Sequence, residues 1–264
     1  MKNTLNLTPN PGEMLKPAEL IDLKRSGPLT LQDRRVFNAL VQHAWGPKLG
    51  QAGVWFEIDT AELRSSTDRN ARLSETLERL MQTIVVVVDK GAQEELRTPL
   101  LSTNKLRTTA NRGRLQYKFT EELAALLRDS TIFAKLDLAV MKSFSSKYAF
   151  ALYEVVSRRI RQQHKFLEEL TIEQLRDLLG VEDGKLVDYK NLNNRAIEPA
   201  IEEVNSLAPF TVSLAAKKKG KKVVGFVMSW AVKTEAGMKE AYAELHRPRV
   251  GRKARLTGTS ETPI

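Results

Sequence analysis

In the run DYKNLNNRAIEPAIEEVNS, five side chains with several N–H donors fall within six positions: Lys190, Asn191, Asn193, Asn194 and Arg195. An arginine fork fits the acceptors of a guanine edge or a phosphate, and an asparagine amide pairs with adenine at N6 and N7. The acids Glu198, Glu202 and Glu203 come after the donors, against the macrodipole of a helix. Ile197, Ile201 and Val204 recur at spacings of four and three, which marks one buried helix face. Pro199 interrupts that stripe; it is tolerated if the helix begins near Leu192 to Arg195, with the proline in or just past the first turn. Donors in front and acids behind suit a helix whose N-terminal part approaches a duplex groove and whose far end leaves it.

A second basic group follows. No acid lies between Asn205 and Thr234, while Lys217, Lys218, Lys219, Lys221, Lys222 and Lys233 do. Further on, HRPRVGRKARLTGTS holds Arg247, Arg249, Arg252, Lys253 and Arg255, again without an acid. The net charge of the 264 residues is +10, so the expected partner is a polyanion, most often nucleic acid. Lysine is a point charge without a fork, so KKKGKK suits phosphate contact rather than base reading.

The elements that must position these groups occur twice. DTAELRSS (59–66) lies over TIEQLRDL (171–178), and NARLSETLERL (70–80) over NRAIEPAIEEV (194–204). The overlay puts Leu73 on Ile197, Leu77 on Ile201 and Leu80 on Val204. Each copy is preceded by a longer helix, TLQDRRVFNALVQHAW (30–45) or SSKYAFALYEVVSRRI (145–160), with threonine or serine at its N-cap. Each is followed by a β-rich run, TIVVVVD (83–89) or FTVSLA (210–215). Two short helices joined by a turn, plus a hairpin, make a winged helix. The expected class is therefore α+β, two tandem winged-helix domains: 16–134 and 135–246, between a disordered arm (1–15) and a disordered basic tail (247–264). The boundary falls near Ala134.

In the second copy FTVSLA and VVGFVMSW form the hairpin, and Gly220 supplies its turn. In the first, Ile84–Asp89 is expected to pair with Leu100–Ser102 or with RLQYKF (114–119). Arg64, Arg69, Asn70 and Arg72 stand at the place of the second copy's donors, with Arg112 and Arg114 in the following loop. Fewer amides there imply backbone binding more than base readout. Ile84, Val85, Val86, Val87 and Val88 read as a buried strand of the first wing, or alternatively as an exposed edge through which two copies pair.

SSKYAFALYEVVSRR, LTIEQLRDLLGV, YKNLNNRAIEPAIEEVN and KKKGKKVVGFVMSW, in that order, resemble the Rep initiators of iteron-containing bacterial plasmids. Ser146, Tyr148, Leu152, Tyr153, Glu154, Leu175, Arg176, Leu179, Gly180, Tyr189, Pro199, Ala200, Ile201, Glu203, Asn205, Lys219, Gly220 and Lys221 carry the match. It is close over 145–230 and architectural over 17–135. The resemblance implies binding of direct-repeat iterons, with the main base contacts from the second domain. It also implies origin opening, recruitment of the host initiator and replicative helicase, and autorepression by dimers formed through the first domain. A tandem winged-helix transcription regulator without a replication role is the alternative, and a sequence-indifferent RNA or nucleoid binder a third class.

Little else in the chain suggests chemistry. It has no cysteine, and His43, His164 and His246 stand apart, which disfavours a metal site or a nickase. GVEDGKL (180–186) has the wrong glycine spacing for a phosphate loop, and Leu186 stands where serine or threonine belongs. No enzyme activity and no cofactor are expected. The longest apolar run is the six residues Tyr148–Tyr153, and MKNTLNLTPNPGEMLKP lacks the apolar core of a signal peptide, so a cytoplasmic protein is expected.

Overall fold

The computed structural model describes residues 3–22, 24–26, 29–63, 70–89, 94–108, 113–162 and 165–256. The first unit contains β1 (Glu13–Pro17), β2 (Lys24–Ser26), α1 (Leu31–His43), β3 (Phe56–Asp59), α2 (Asn70–Gln82), β4 (Ile84–Asp89), β5 (Glu94–Pro99), β6 (Thr103–Thr108), β7 (Gly113–Lys118) and α3 (Glu121–Asp129). Next come β8 (Phe133–Asp137) and α4 (Leu138–Ser143). The second unit contains α5 (Lys147–Arg159), β9 (Leu167–Leu170), α6 (Ile172–Leu179), α7 (Tyr189–Leu192), α8 (Glu198–Leu207), β10 (Phe210–Lys219) and β11 (Lys222–Val232). Helices α9 (Glu235–Leu245) and α10 (Arg252–Leu256) follow.

The two units share one topology. β11 lies between β10 and β9, and β7 lies between β6 and β3, all antiparallel. The Thr60–Leu63 3-10 turn and α2 stand in the first unit where α6 and α7–α8 stand in the second. Leu73, Leu77 and Leu80 are buried in α2, as are Ile197 and Val204 in the second unit, while Ile201 is only half-buried. Helix starts follow local chemistry. Thr30 and Asp33 form a capping box on α1, Thr171 and Gln174 form one on α6, and Ser146 caps α5.

Several expectations change. Ile84–Asp89 is not a wing strand: β4 pairs with β2 over Ile84–Val86 and with β5 along its length, in a sheet of its own. The first wing is β6–β7. β-branched runs pair with any suitable strand, and partner choice is a tertiary matter. Flanked on both sides, Ile84–Val86 has no free edge, and Val85 is fully buried; the side chains of Val87 and Val88 lie outside the described residues.

The arm 1–15, expected to be disordered, is built in from residue 3. Leu5, Met14 and Leu15 are buried, and Thr4 N–H donates to the Ser130 carbonyl at 2.9 Å. β1 pairs with β8, so the expected boundary residue Ala134 sits inside a strand, opposite Lys16.

Residues 247–256 of the tail, expected to be disordered, pack on the rest of the chain. Arg252 Nη1 donates to the Ser143 carbonyl at 2.8 Å, Arg249 Nη2 to the Phe144 carbonyl at 2.9 Å, and Arg252 and Arg255 hold Glu244. These arginines meet carbonyls and an acid brought from elsewhere in the chain, so they are not a free basic surface. Residues 257–264 lie outside the description.

α5 is buried on all sides because both units close on it. Ala149 through Ser157 are buried without interruption, and each large apolar side chain among them contributes on the order of 1.5–3 kcal/mol. Inside this junction Lys16 Nζ meets Glu154 Oε1 at 2.7 Å, and Asn38 bonds both groups, at 2.8 and 2.7 Å. Burial pushes Glu154 up, but the Lys16 charge and the Asn38 amide outweigh it and hold the carboxyl below its ordinary value. No described helix is long and apolar enough to cross a membrane.

Candidate nucleic-acid interface

In the second unit a capped helix leads into the donor-rich one. Gly180 ends α6 with φ +68°, and a Cβ there would run into Arg34 Nη2. Arg176 then clamps the turn: its guanidinium donates to the carbonyls of Lys185 at 2.7 Å, Leu186 at 2.9 Å and Glu182 at 3.2 Å. Asp188 caps α7 by accepting from Asn191 N–H at 2.9 Å and also takes the Asn191 side-chain amide. That carboxylate answers the macrodipole at the front of the helix.

The helix begins at Tyr189, earlier than Leu192 to Arg195. It continues through a π turn, Asn193–Ile197, into α8, which places Pro199 well inside it. Lys190, Asn191, Asn194 and Arg195 are exposed and Asn193 is half-buried. Asn193 is already engaged, donating to Glu198 Oε1 at 2.6 Å. Among the described residues, no acid engages the side chain of Lys190 or Arg195.

The acids behind these donors have separate tasks. Glu203 is buried and accepts from Ser145 N–H at 2.6 Å, Ser145 Oγ at 2.8 Å and Ser146 N–H at 3.1 Å, so it caps the start of α5. Glu198 positions Asn193, and Glu202 is exposed. Asn205 ties the helix to the wing through both groups of its amide, to Val212 O at 3.0 Å and from Val212 N–H at 2.7 Å.

The wing itself is a long hairpin. Lys219 faces Lys222 across the two-residue loop Gly220–Lys221, and Gly220 at φ +62° supplies the first position of that turn. Lys218, Lys219, Lys221 and Lys222 are exposed at the tip. Lys217 is set apart from them by its ion pair with Glu169 at 2.7 Å. A bulge at Lys217/Lys218 leaves Val224 unopposed and adds local twist to the tip.

In the first unit Arg64, Arg69 and Arg112 lie outside the described residues, as does the side chain of Asn70. Arg72 is exposed on α2. Arg114 is not in a loop: it stands on the outer face of β7, ion-paired with Glu57. Gln116, and then Arg114, hold the Glu57 carboxyl below its ordinary value.

Sequence reasoning missed the rest of that face. Lys105, Arg107 and Lys118 share it with Arg114, and Trp55 lies beside them with Lys105 Nζ 4.9 Å and Lys118 Nζ 5.6 Å from its ring centroid. The alternation of exposed and covered residues in 103–107 and 113–118 carries the signal, whereas the sequence expectation puts Arg112 and Arg114 in a loop, offers 114–119 as one partner for Ile84–Asp89 and gives 103–107 no role. Among the described residues no cluster of three or more histidines, cysteines or acids could hold a metal ion. His43 Nδ1 lies 3.1 Å from Tyr117 Oη, and His246 Nδ1 lies 2.8 Å from the Tyr242 carbonyl; His164 is outside the description.

Repeated helix–turn–helix units, each with its own three-stranded wing sheet, define a tandem winged-helix protein. Residues 13–157 match the family described as Initiator Replication protein, WH1, and residues 171–230 match Initiator Rep protein, WH2; the chain belongs to this replication-initiator family. A curated replication initiation protein from Escherichia coli is 25% identical over 134 residues, 48% of this chain and 42% of that one. The matched part thus spans less than half of that relative's length. Among solved structures, the Pi initiator protein in complex with iteron DNA shares the fold with a TM-score of 0.55 at 16% identity, over 85% of this chain and 98% of that one. A structure of domains 2 and 3 of RctB overlays with a TM-score of 0.46 at 10% identity, covering 86% and 95%.

Proposed function

We propose that this protein is a plasmid replication initiator that binds direct-repeat iterons in double-stranded DNA. The observation that carries the reading is the exposed set Lys190, Asn191, Asn194 and Arg195 on the second helix of the second unit, with a lysine-tipped wing in the same domain. Arg195 and Asn194 read base edges in the major groove; Lys190 and the tip lysines Lys218, Lys219, Lys221 and Lys222 hold phosphates. Lys217 contributes less because Glu169 neutralises it. The first unit adds backbone contacts through Arg72 and the β6–β7 wing. Two helices on one face of the duplex reach grooves ~34 Å apart, so one protein covers roughly 20 base pairs.

Opening of the origin is driven by binding energy and DNA bending. The host initiator and replicative helicase are the partners recruited to the opened origin. Two copies associating through the first unit repress the protein's own gene. Footprinting on the DNA that flanks the gene tests the reading. Protection of several direct repeats of roughly two helical turns supports it; a lone palindrome would instead identify a transcription regulator.

A further inference from the structure

Pro199 lies deep in a helix that runs without a break from Tyr189 to Leu207. Inside an α-helix a proline supplies no N–H to the carbonyl four residues back, and its ring collides with that carbonyl, here Arg195. The chain stays helical all the same: Leu192, Asn193, Ile197 and Glu198 keep right-handed helical φ and ψ. The adjustment is made one turn earlier. Glu198 N–H donates to the Asn193 carbonyl, five residues back instead of four.

One side-chain contact obeys the same five-residue closure: Asn193 Nδ2 reaches Glu198 Oε1 at 2.6 Å. On a regular α-helix residues five apart point about 140° away from each other, so this contact does not fit that geometry. The wide turn is also where the donor set sits. Asn193, Asn194 and Arg195 fall within it, while α8 beyond is locked to the core by Ala200, Val204 and Leu207 and to the wing by Asn205.

Resting on the base-reading role given above, we infer that Pro199 is a positioning residue for specificity. By excluding a regular α turn it fixes the rotation of Lys190–Arg195 relative to the anchored half of the helix, and so selects which base edges Asn194 and Arg195 meet. Closing the turn over four residues would swing the front of the helix by on the order of one residue's rotation, ~100°. π turns recur at functional sites in helices, and this one has an identifiable chemical cause.

The test is selection from a pool of random-sequence duplexes by the full-length wild type and by Pro199→Ala, with melting temperature and affinity measured alongside. The expected result is a wild-type consensus that Pro199→Ala changes at two or three base positions. Its affinity for the wild-type consensus should fall about tenfold, with unrelated duplex bound as before and the melting temperature not lowered. If Pro199→Ala selects the same consensus with the same affinity, the inference is overturned while the DNA-binding reading stands. An equal loss on every duplex, accompanied by a lower melting temperature, overturns it too, because that describes a structural role alone. A wild-type pool without any consensus removes the base-reading proposal and this inference with it.

Discussion

At the scale of single residues, the candidate donors divide by what already holds them. Asn191 is tied to Asp188, Asn193 to Glu198 and Lys217 to Glu169, whereas the side chains of Lys190 and Arg195 are engaged by no described acid. A donor that must break an internal bond to reach DNA loses part of what it gains there. Arg195→Ala should therefore weaken binding to the preferred site by ~1–3 kcal/mol and hardly change binding to other duplexes, measured by titration at one salt concentration. Lys218→Ala should weaken all duplexes alike and make the dependence of log affinity on log salt shallower by about one unit. A base-dependent loss for Lys218→Ala would show that the tip reads sequence.

At the scale of elements, the second wing depends on close backbone approach. Gly225 on β11 faces the Leu170 carbonyl of β9, and a Cβ there would lie 2.7 Å from that oxygen. A backbone atom cannot yield as a flexible side chain can, so Gly225→Ala must push the two strands apart. Urea unfolding should show a loss of ~1–3 kcal/mol; unchanged stability would mean that the sheet opens there at no cost. Gly180 is constrained twice, by its positive φ and by Arg34 from α1. Gly180→Ala should lose a similar amount, and its effect should shrink when Arg34 is also truncated, since the two changes share a contact.

At the scale of the whole molecule, the junction around α5 is held by buried charge as well as by apolar contact. Lys16 of β1 and Glu154 of α5 are both nearly inaccessible, so removing one partner leaves the other charged and buried. Glu154→Gln and Lys16→Met should each lose ~3–5 kcal/mol in denaturant melts, while the double change to apolar residues should lose much less. Glu154 is held below the ordinary glutamate value in the folded chain, so its contribution is complete above that value and disappears as pH falls through the lowered one. The wild type should thus lose stability below about pH 4 more steeply than Glu154→Gln. Parallel acid curves for the two proteins would show that this pair is not part of the acid response.

The repeat, the order of its helices, the second hairpin, the buried leucines of α2 and the donor-rich helix were legible from the amino acids alone, because helix periodicity, capping and turn chemistry act over a few neighbouring residues. Ile84–Asp89 shows where that reach ends: its β preference is plain, but its partners β2 and β5 follow from tertiary assembly. The arm and the tail looked disordered because their contacts, Thr4 with Ser130 and Arg252 with Ser143, join residues more than a hundred positions apart. Glu203 and Arg176 read as charges on helices, and only the packed chain gave them the start of α5 and the 182–186 turn to hold. Local stereochemistry determined which elements form and which carry donors. The folded core decided which of those donors remain free, because burial and partnership are made by residues distant in sequence.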